Sequence, residues 1–82
     1  MRLDKYLKVS RLIKRRSVAA DACGAERVSV GGKPAKASYN VRVGDKIEIR
    51  FGERRTTVEV LSVAEHATKD NAGTMYREIA DS

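Results

Sequence analysis

Arg2-Leu3-Asp4-Lys5-Tyr6-Leu7-Lys8-Val9-Ser10 opens the chain with a helical period. At about 100° per residue, Leu3, Tyr6, Leu7 and Ser10 share one face. Asp4, Lys5, Lys8 and Arg11 fall opposite, with Arg2 at the edge between the two. The spacing predicts a short amphipathic helix whose apolar stripe must be buried by the rest of the domain. Leu12 and Ile13 follow as core contacts, and Lys14-Arg15-Arg16 leads into Ser17-Val18-Ala19-Ala20-Asp21-Ala22-Cys23. The alanines favour a second helix, with Gly24 as its expected stop. The core contacts should pin the cationic run at that helix's first turn, where free N–H groups and the helix dipole favour phosphate.

Beyond Glu26 the period changes to two. Val28 and Val30 alternate with Arg27 and Ser29, and Gly31-Gly32 supplies the positive φ of a tight hairpin turn. Pro34 confines the next segment to an edge or an irregular path. Val41-Arg42-Val43-Gly44-Asp45 reads as a short extended piece ending in a turn. Lys46-Ile47-Glu48-Ile49-Arg50-Phe51 alternates cleanly, with Ile47, Ile49 and Phe51 expected to point inward. Gly52-Glu53-Arg54 turns the chain into a further strand, Thr56-Thr57-Val58-Glu59-Val60-Leu61. The expected fold class is α+β: two amino-terminal helices packed on a small, mostly antiparallel β-sheet. Residues 1–64 form the domain and 65–82 a carboxyl-terminal extension, in which Lys69-Asp70-Asn71-Ala72-Gly73 is loop-like. Met75-Tyr76-Arg77-Glu78-Ile79 fits either an edge strand or a frayed helical turn.

The net charge of +6 is confined to the first sixteen residues. Arg2, Lys5, Lys8, Arg11, Lys14, Arg15 and Arg16 face Asp4 alone, and the two signs balance over the remaining chain. A field of one sign on a small domain attracts polyanions, so nucleic acid or an anionic membrane surface is the first partner to consider. Arginine's planar fork can hold a phosphate through two hydrogen bonds, which makes Arg2, Arg11, Arg15 and Arg16 the primary candidate RNA contacts. Lys5, Lys8 and Lys14 support them as point charges, and Lys33 and Lys36 beside the hairpin are secondary candidates. Asp4, in the first helical turn, suits the dipole and can orient a neighbouring arginine. Tyr6 belongs to the apolar stripe, and Phe51, Tyr39 and Tyr76 form no stacking platform with the basic run.

At 82 residues the chain has room for one modest core, and a deep catalytic cleft is not expected. Its hydrophobic share of 41% is too high for a wholly disordered chain. No apolar run approaches the roughly 18 residues needed to span a bilayer, and the basic start lacks the apolar stretch of a signal peptide, so a cytoplasmic location and no membrane partner are expected. Cys23 lies among Ala19, Ala20, Ala22 and Gly24 as a small core residue, and His66 is too distant to share a metal with it. No nucleophile constellation, phosphate-cradling glycine loop or nucleotide fingerprint is present, so no catalytic residue, metal, cofactor or enzymatic activity is expected.

Four blocks carry a resemblance: Arg2-Leu3-Asp4-Lys5-Tyr6-Leu7; Lys14-Arg15-Arg16 ahead of the alanine-rich helix; Arg27-Val28-Ser29-Val30-Gly31-Gly32; and Val43-Gly44-Asp45-Lys46-Ile47. In this order, over residues 1 to 51, the chain resembles the S4-type RNA-binding domain. Within that superfamily the short length, Lys8-Val9-Ser10-Arg11-Leu12-Ile13-Lys14-Arg15-Arg16, Ala35-Lys36-Ala37-Ser38, Arg50-Phe51-Gly52 and Met75-Tyr76 resemble the RqcP (YabO) family. That resemblance implies a ribosome-associated quality-control factor that binds large-subunit rRNA and P-site peptidyl-tRNA on obstructed large subunits. It also implies support for untemplated alanine tailing with an RqcH-type factor. Nothing in the sequence demands more than a monomer.

The superfamily usually has glycine immediately before the Arg-Val strand, where this chain has Glu26. A non-glycine in a left-handed cap costs about 1 kcal/mol, so the turn is expected to differ locally. Gly31 stands where asparagine is common, which changes little because both tolerate positive φ. The alternatives are a relative of the heat-shock S4-type protein that binds large subunits carrying a nascent chain, and a general rRNA-binding protein. The heat-shock relative generally has a longer basic tail, whereas Lys69 and Arg77 here meet Asp70, Glu78 and Asp81. S4 domains also occur on RNA-modifying enzymes and tyrosyl-tRNA synthetase, but those need a separate catalytic domain.

Overall fold

The helical period of the first residues becomes α1, Leu3–Val9, and the alanine-rich stretch becomes α2, Arg16–Gly24, in a computed structural model that describes residues 1–63 and 75–79. The alternating segments form β1 (Val28–Val30), β2 (Lys33–Pro34), β3 (Lys46–Phe51), β4 (Arg54–Val60) and β5 (Tyr76–Ile79). They assemble into one antiparallel sheet in the order β2-β1-β3-β4-β5. The fold is α+β, two helices on a five-stranded antiparallel sheet. Of the segment left open between edge strand and helical turn, Tyr76–Ile79 forms an edge strand, paired with Val60 to Thr57. His66 and the loop-like residues 69–73 lie outside the described residues.

Strand register sorts the sheet into two faces. Val28, Ile49, Val30, Ile47, Val58 and Val60 share one face, and of these only Val30 is more than marginally exposed. Leu3, Tyr6 and Leu7 of α1, Ile13, and Ala19 and Ala22 of α2 complete that core. Each fully buried aliphatic side chain contributes about 1.5–3 kcal/mol, so the apolar stripe of α1 is held by the sheet rather than by helix propensity. Ser29, Glu48, Thr57, Lys46, Glu59 and Arg77 lie on the opposite, polar face, where Arg77 pairs with Glu59 and Arg50 with Glu48 at 2.9 Å. Phe51 departs from the expectation that it points inward. Its parity is right, but it lies at the β3–β4 hairpin tip beyond the helices and is 44% exposed.

Two tight turns use positive φ. Gly31 (φ 61°) and Gly32 (φ 85°) join Val30 to Lys33, the two-residue geometry in which both central residues are left-handed. Gly52 (φ 60°) opens the two-residue turn between Phe51 and Arg54. The left-handed cap after α2 is preserved, against the expectation of an altered turn: Glu26 adopts φ 60°. Its N–H donates to the Cys23 carbonyl (3.1 Å) and the Arg27 N–H to the Ala22 carbonyl (2.9 Å). This is a Schellman pair, whose two bonds and the aligned entry of β1 offset the strain of a non-glycine.

The segment between β2 and β3 closes over the start of α1. Arg2, the N-cap, provides no side-chain cap, and instead the Leu3 and Asp4 N–H groups donate to the Tyr39 (2.8 Å) and Ala37 (3.2 Å) carbonyls. The N–H groups that a helix start leaves unsatisfied are thus met by tertiary partners. Tyr39 fastens the segment by donating its hydroxyl to Asp45 (2.8 Å), which also accepts the Arg42 N–H (3.0 Å).

Candidate nucleic-acid interface

The fold gathers the starts of both helices around one carboxylate. Asp4 is 4% exposed, yet its oxygens lie 3.2 Å from Arg2 Nε and 3.4 Å from Arg16 Nε, and Oδ1 accepts the Lys5 backbone N–H at 2.7 Å. Burial would push the Asp4 carboxyl up, but hydrogen bonds from Arg16, Arg2 and the Lys5 N–H outweigh it and hold the group below the usual carboxylate range. Asp4 is therefore an anion at neutral pH. The side chains of Arg2 and Arg16 remain 54% and 49% exposed, so each guanidinium is oriented from behind and open to solvent in front. A guanidinium has five N–H donors, and those not used on Asp4 are available for a second oxyanion such as a phosphate.

The other candidates surround this clamp unequally. Lys5 is half-buried on α1, and Lys8 is exposed in its last turn, where a cation also suits the helix dipole. Arg11 follows α1 in the left-handed region at φ 66°, exposed, with its N–H on the Lys8 carbonyl at 3.1 Å. A non-glycine there costs about 1–2 kcal/mol. Lys14, Arg15 and Arg16 are all exposed. Only Arg16 lies inside α2, while Arg15 is its N-cap and Lys14 precedes it, so the run leads into the first turn rather than occupying it. Arg15 makes no side-chain cap, and the first turn of α2 lies among the exposed residues 14–18. Ile13 is buried and Leu12 half-buried, which anchors the link from below. Lys33 lies on the edge strand β2. Lys36 directly precedes Ala37, the acceptor for the Asp4 N–H.

Tyr6 is fully buried and donates its hydroxyl to the Met75 carbonyl at 2.7 Å, so its ring is core and its phenol is committed. Burial raises the Tyr6 phenol far above its ordinary value, and the nearby Tyr76 adds to the effect. Cys23 is 4% exposed, and burial pushes its thiol up, which leaves it a neutral core side chain. Among the described residues no three His, Cys, Asp or Glu side chains are grouped to hold a metal, and no helix is long and apolar enough to cross a membrane. One basic grouping is invisible along the sequence. Arg27, Arg50 and Arg55 come side by side because Arg50 pairs with Arg55 across β3 and β4 and donates its N–H to the Arg27 carbonyl at 2.8 Å.

A model of the S4 domain matches residues 1–47, the part that contains both helices, the clamp and the first hairpin. The chain is 51% identical to the RQC P-site tRNA stabilizing factor of Halalkalibacterium halodurans over 93% of its own length and 86% of that protein. It is 47% identical to the factor of the same name from Bacillus subtilis, over 93% and 88%. Among solved structures, trimeric heat shock protein 15 of Vibrio cholerae superposes with a TM-score of 0.89 at 32% identity, covering 98% of this chain and 82% of that one. Length, element order, the basic helix pair and these likenesses agree: the chain belongs to the S4 domain family and, within it, to the family of RQC P-site tRNA stabilizing factors.

Proposed function

We propose that this protein is a non-enzymatic RNA-binding factor of ribosome-associated quality control. It docks on large-subunit rRNA and the P-site peptidyl-tRNA of obstructed large subunits and supports alanine tailing by an RqcH-type partner. The observation that carries the reading is the buried Asp4 carboxylate holding Arg2 and Arg16, at 3.2 and 3.4 Å, on the only strongly cationic stretch of the chain. Folded RNA is recognised largely through phosphates, 2′-hydroxyls and shape, which rewards rigidly aimed arginines over mobile lysines. Arg2 and Arg16 make the central contacts, Arg11 and Arg15 flank them, and Lys5, Lys8, Lys14, Lys33 and Lys36 supply the surrounding field. Asp4 is a positioning residue. The protein acts as a monomer in the cytoplasm, with residues 1–64 as the RNA-binding domain and 65–82 as its extension.

The test is binding of the purified protein to large subunits with and without peptidyl-tRNA across a salt series. Preference for the peptidyl-tRNA particle, with affinity falling steeply in salt as about five phosphate contacts require, supports the reading. Arg16→Glu should abolish that binding and leave the fold intact, and full retention defeats the site assignment. The likeness to heat shock protein 15 favours a second reading, a large-subunit binder of the heat-shock type. Equal binding to both particles would instead indicate a general rRNA-binding protein.

A further inference from the structure

We infer that the end of the sheet at the β3–β4 hairpin is a second RNA-backbone contact, formed by Arg27, Arg50 and Arg55 in a row across three strands with Arg54 at the tip. The inference rests on the RNA-binding reading of the chain but concerns a different surface, carried by strands instead of the helix pair. Its basis is the charge pattern of the sheet's polar face. At one end, Lys46 pairs with Glu59 and Glu59 with Arg77, so the signs alternate across β3, β4 and β5. In the middle, Glu48 pairs with Ser29 and Thr57. At the hairpin end Arg50 lies directly opposite Arg55, and Arg27 continues the row through the bond from the Arg50 N–H to its carbonyl.

Like charges directly opposite one another in a sheet are destabilising, and neighbouring strands place them only about 4.8 Å apart. Glu48 accepts from Arg50 Nε at 2.9 Å and offsets part of that repulsion, while fixing the plane of one guanidinium. Arg27, Arg50, Arg54 and Arg55 are all exposed, and Arg50, Arg54 and Arg55 line a shallow concavity of about 340 Å³ with Gly52 and Glu53. A row of arginines carried on three adjacent strands suits a chain of phosphates, where a lone anion would satisfy one position. Phe51, 44% exposed and paired with Arg54, projects from the other face of the hairpin tip and lies outside the arginine row. A single exposed ring gives too little apolar surface for stable insertion into a membrane.

The experiment uses the full chain and two probes, a plain RNA duplex and large subunits carrying peptidyl-tRNA, titrated across a KCl series. The double variant Arg27→Gln with Arg50→Gln should bind both probes about tenfold more weakly and flatten the salt slope by about 1.5. Arg54→Gln serves as a second variant and should weaken both by a smaller factor. The control, Arg42→Gln with Lys46→Gln, removes the same charge from the far end of β3 and the segment that leads into it, and should leave affinity within about twofold. Unchanged binding by the arginine variants, an equal loss in the control, or retention on phosphatidylglycerol vesicles in place of RNA would each overturn the inference. If the wild-type protein fails to distinguish the two classes of large subunit, the quality-control reading fails while the duplex titration still decides on the arginine row.

Discussion

Replacing Asp4 by asparagine separates the orientation of arginine from its charge. Asparagine keeps the shape and the acceptor for the Lys5 N–H at 2.7 Å, but loses the anion that faces Arg2 Nε and Arg16 Nε. Hydrogen bonds to charged groups are worth about 1.5–3 kcal/mol when shielded. Both guanidinium groups are half-exposed, which screens the pair, so the net loss should be about 1–1.5 kcal/mol, or roughly 5–10 °C in Tm for a domain of this size. The folded-state carboxyl is held below its ordinary value, so its contribution is full above the unfolded-state value near 4 and fades as pH falls through the lowered one. Asp4→Asn should therefore lower stability at pH 7 and converge with the wild type in strong acid, by thermal unfolding at several pH values. Binding has the opposite sign in the two explanations. The variant gains one positive charge, so if charge alone governs attraction it binds RNA more tightly; if Asp4 aims Arg2 and Arg16, it binds about tenfold more weakly. Tighter binding, or an unchanged Tm at pH 7, would refute the clamp.

Arg11→Gly should raise the unfolding free energy by about 1 kcal/mol, seen as a higher denaturant midpoint, because glycine accepts φ 66° without strain, and weaken RNA binding by removing a cation. Glu26→Gly should give a similar stabilisation at φ 60° with RNA affinity unchanged or slightly improved, read by urea unfolding and the same titration. Tyr6→Phe removes the bond its hydroxyl donates to the Met75 carbonyl at 2.7 Å, but the Leu61 and Ser62 N–H groups still donate to that carbonyl, so the loss should be about 0.5–1.5 kcal/mol in chemical unfolding. In the wild type, the raised Tyr6 phenol should stay protonated in alkaline solution until the fold opens, as absorbance near the tyrosinate band will show. Ile47→Ala removes a fully buried side chain at the sheet centre and should cost about 2–4 kcal/mol, enough to unfold much of a marginal domain at 37 °C by circular dichroism.

The helix pair, the Gly31-Gly32 hairpin and the β3–β4 alternation are local: side-chain period and positive-φ glycines act within a few residues, so they were readable from the chain itself. The same holds for the concentration of cations in the first sixteen residues, which is a matter of composition. Phe51 escaped that reading because parity says which face a side chain takes, not whether a helix covers it there. Glu26 did so because a Schellman pair and the register of β1 can hold a left-handed residue that local preference disfavours. Only the tertiary structure decided that Asp4 holds two arginines fourteen positions apart, Arg2 and Arg16, since helix packing sets that contact. Only strand register brought Arg27, Arg50 and Arg55 into one row from distant points in a charge-balanced stretch. The physical reason is common to both. Coulomb and hydrogen-bond energies fall off over a few ångströms, so they depend on which residues the hydrophobic core brings together, and sequence separation does not report that distance.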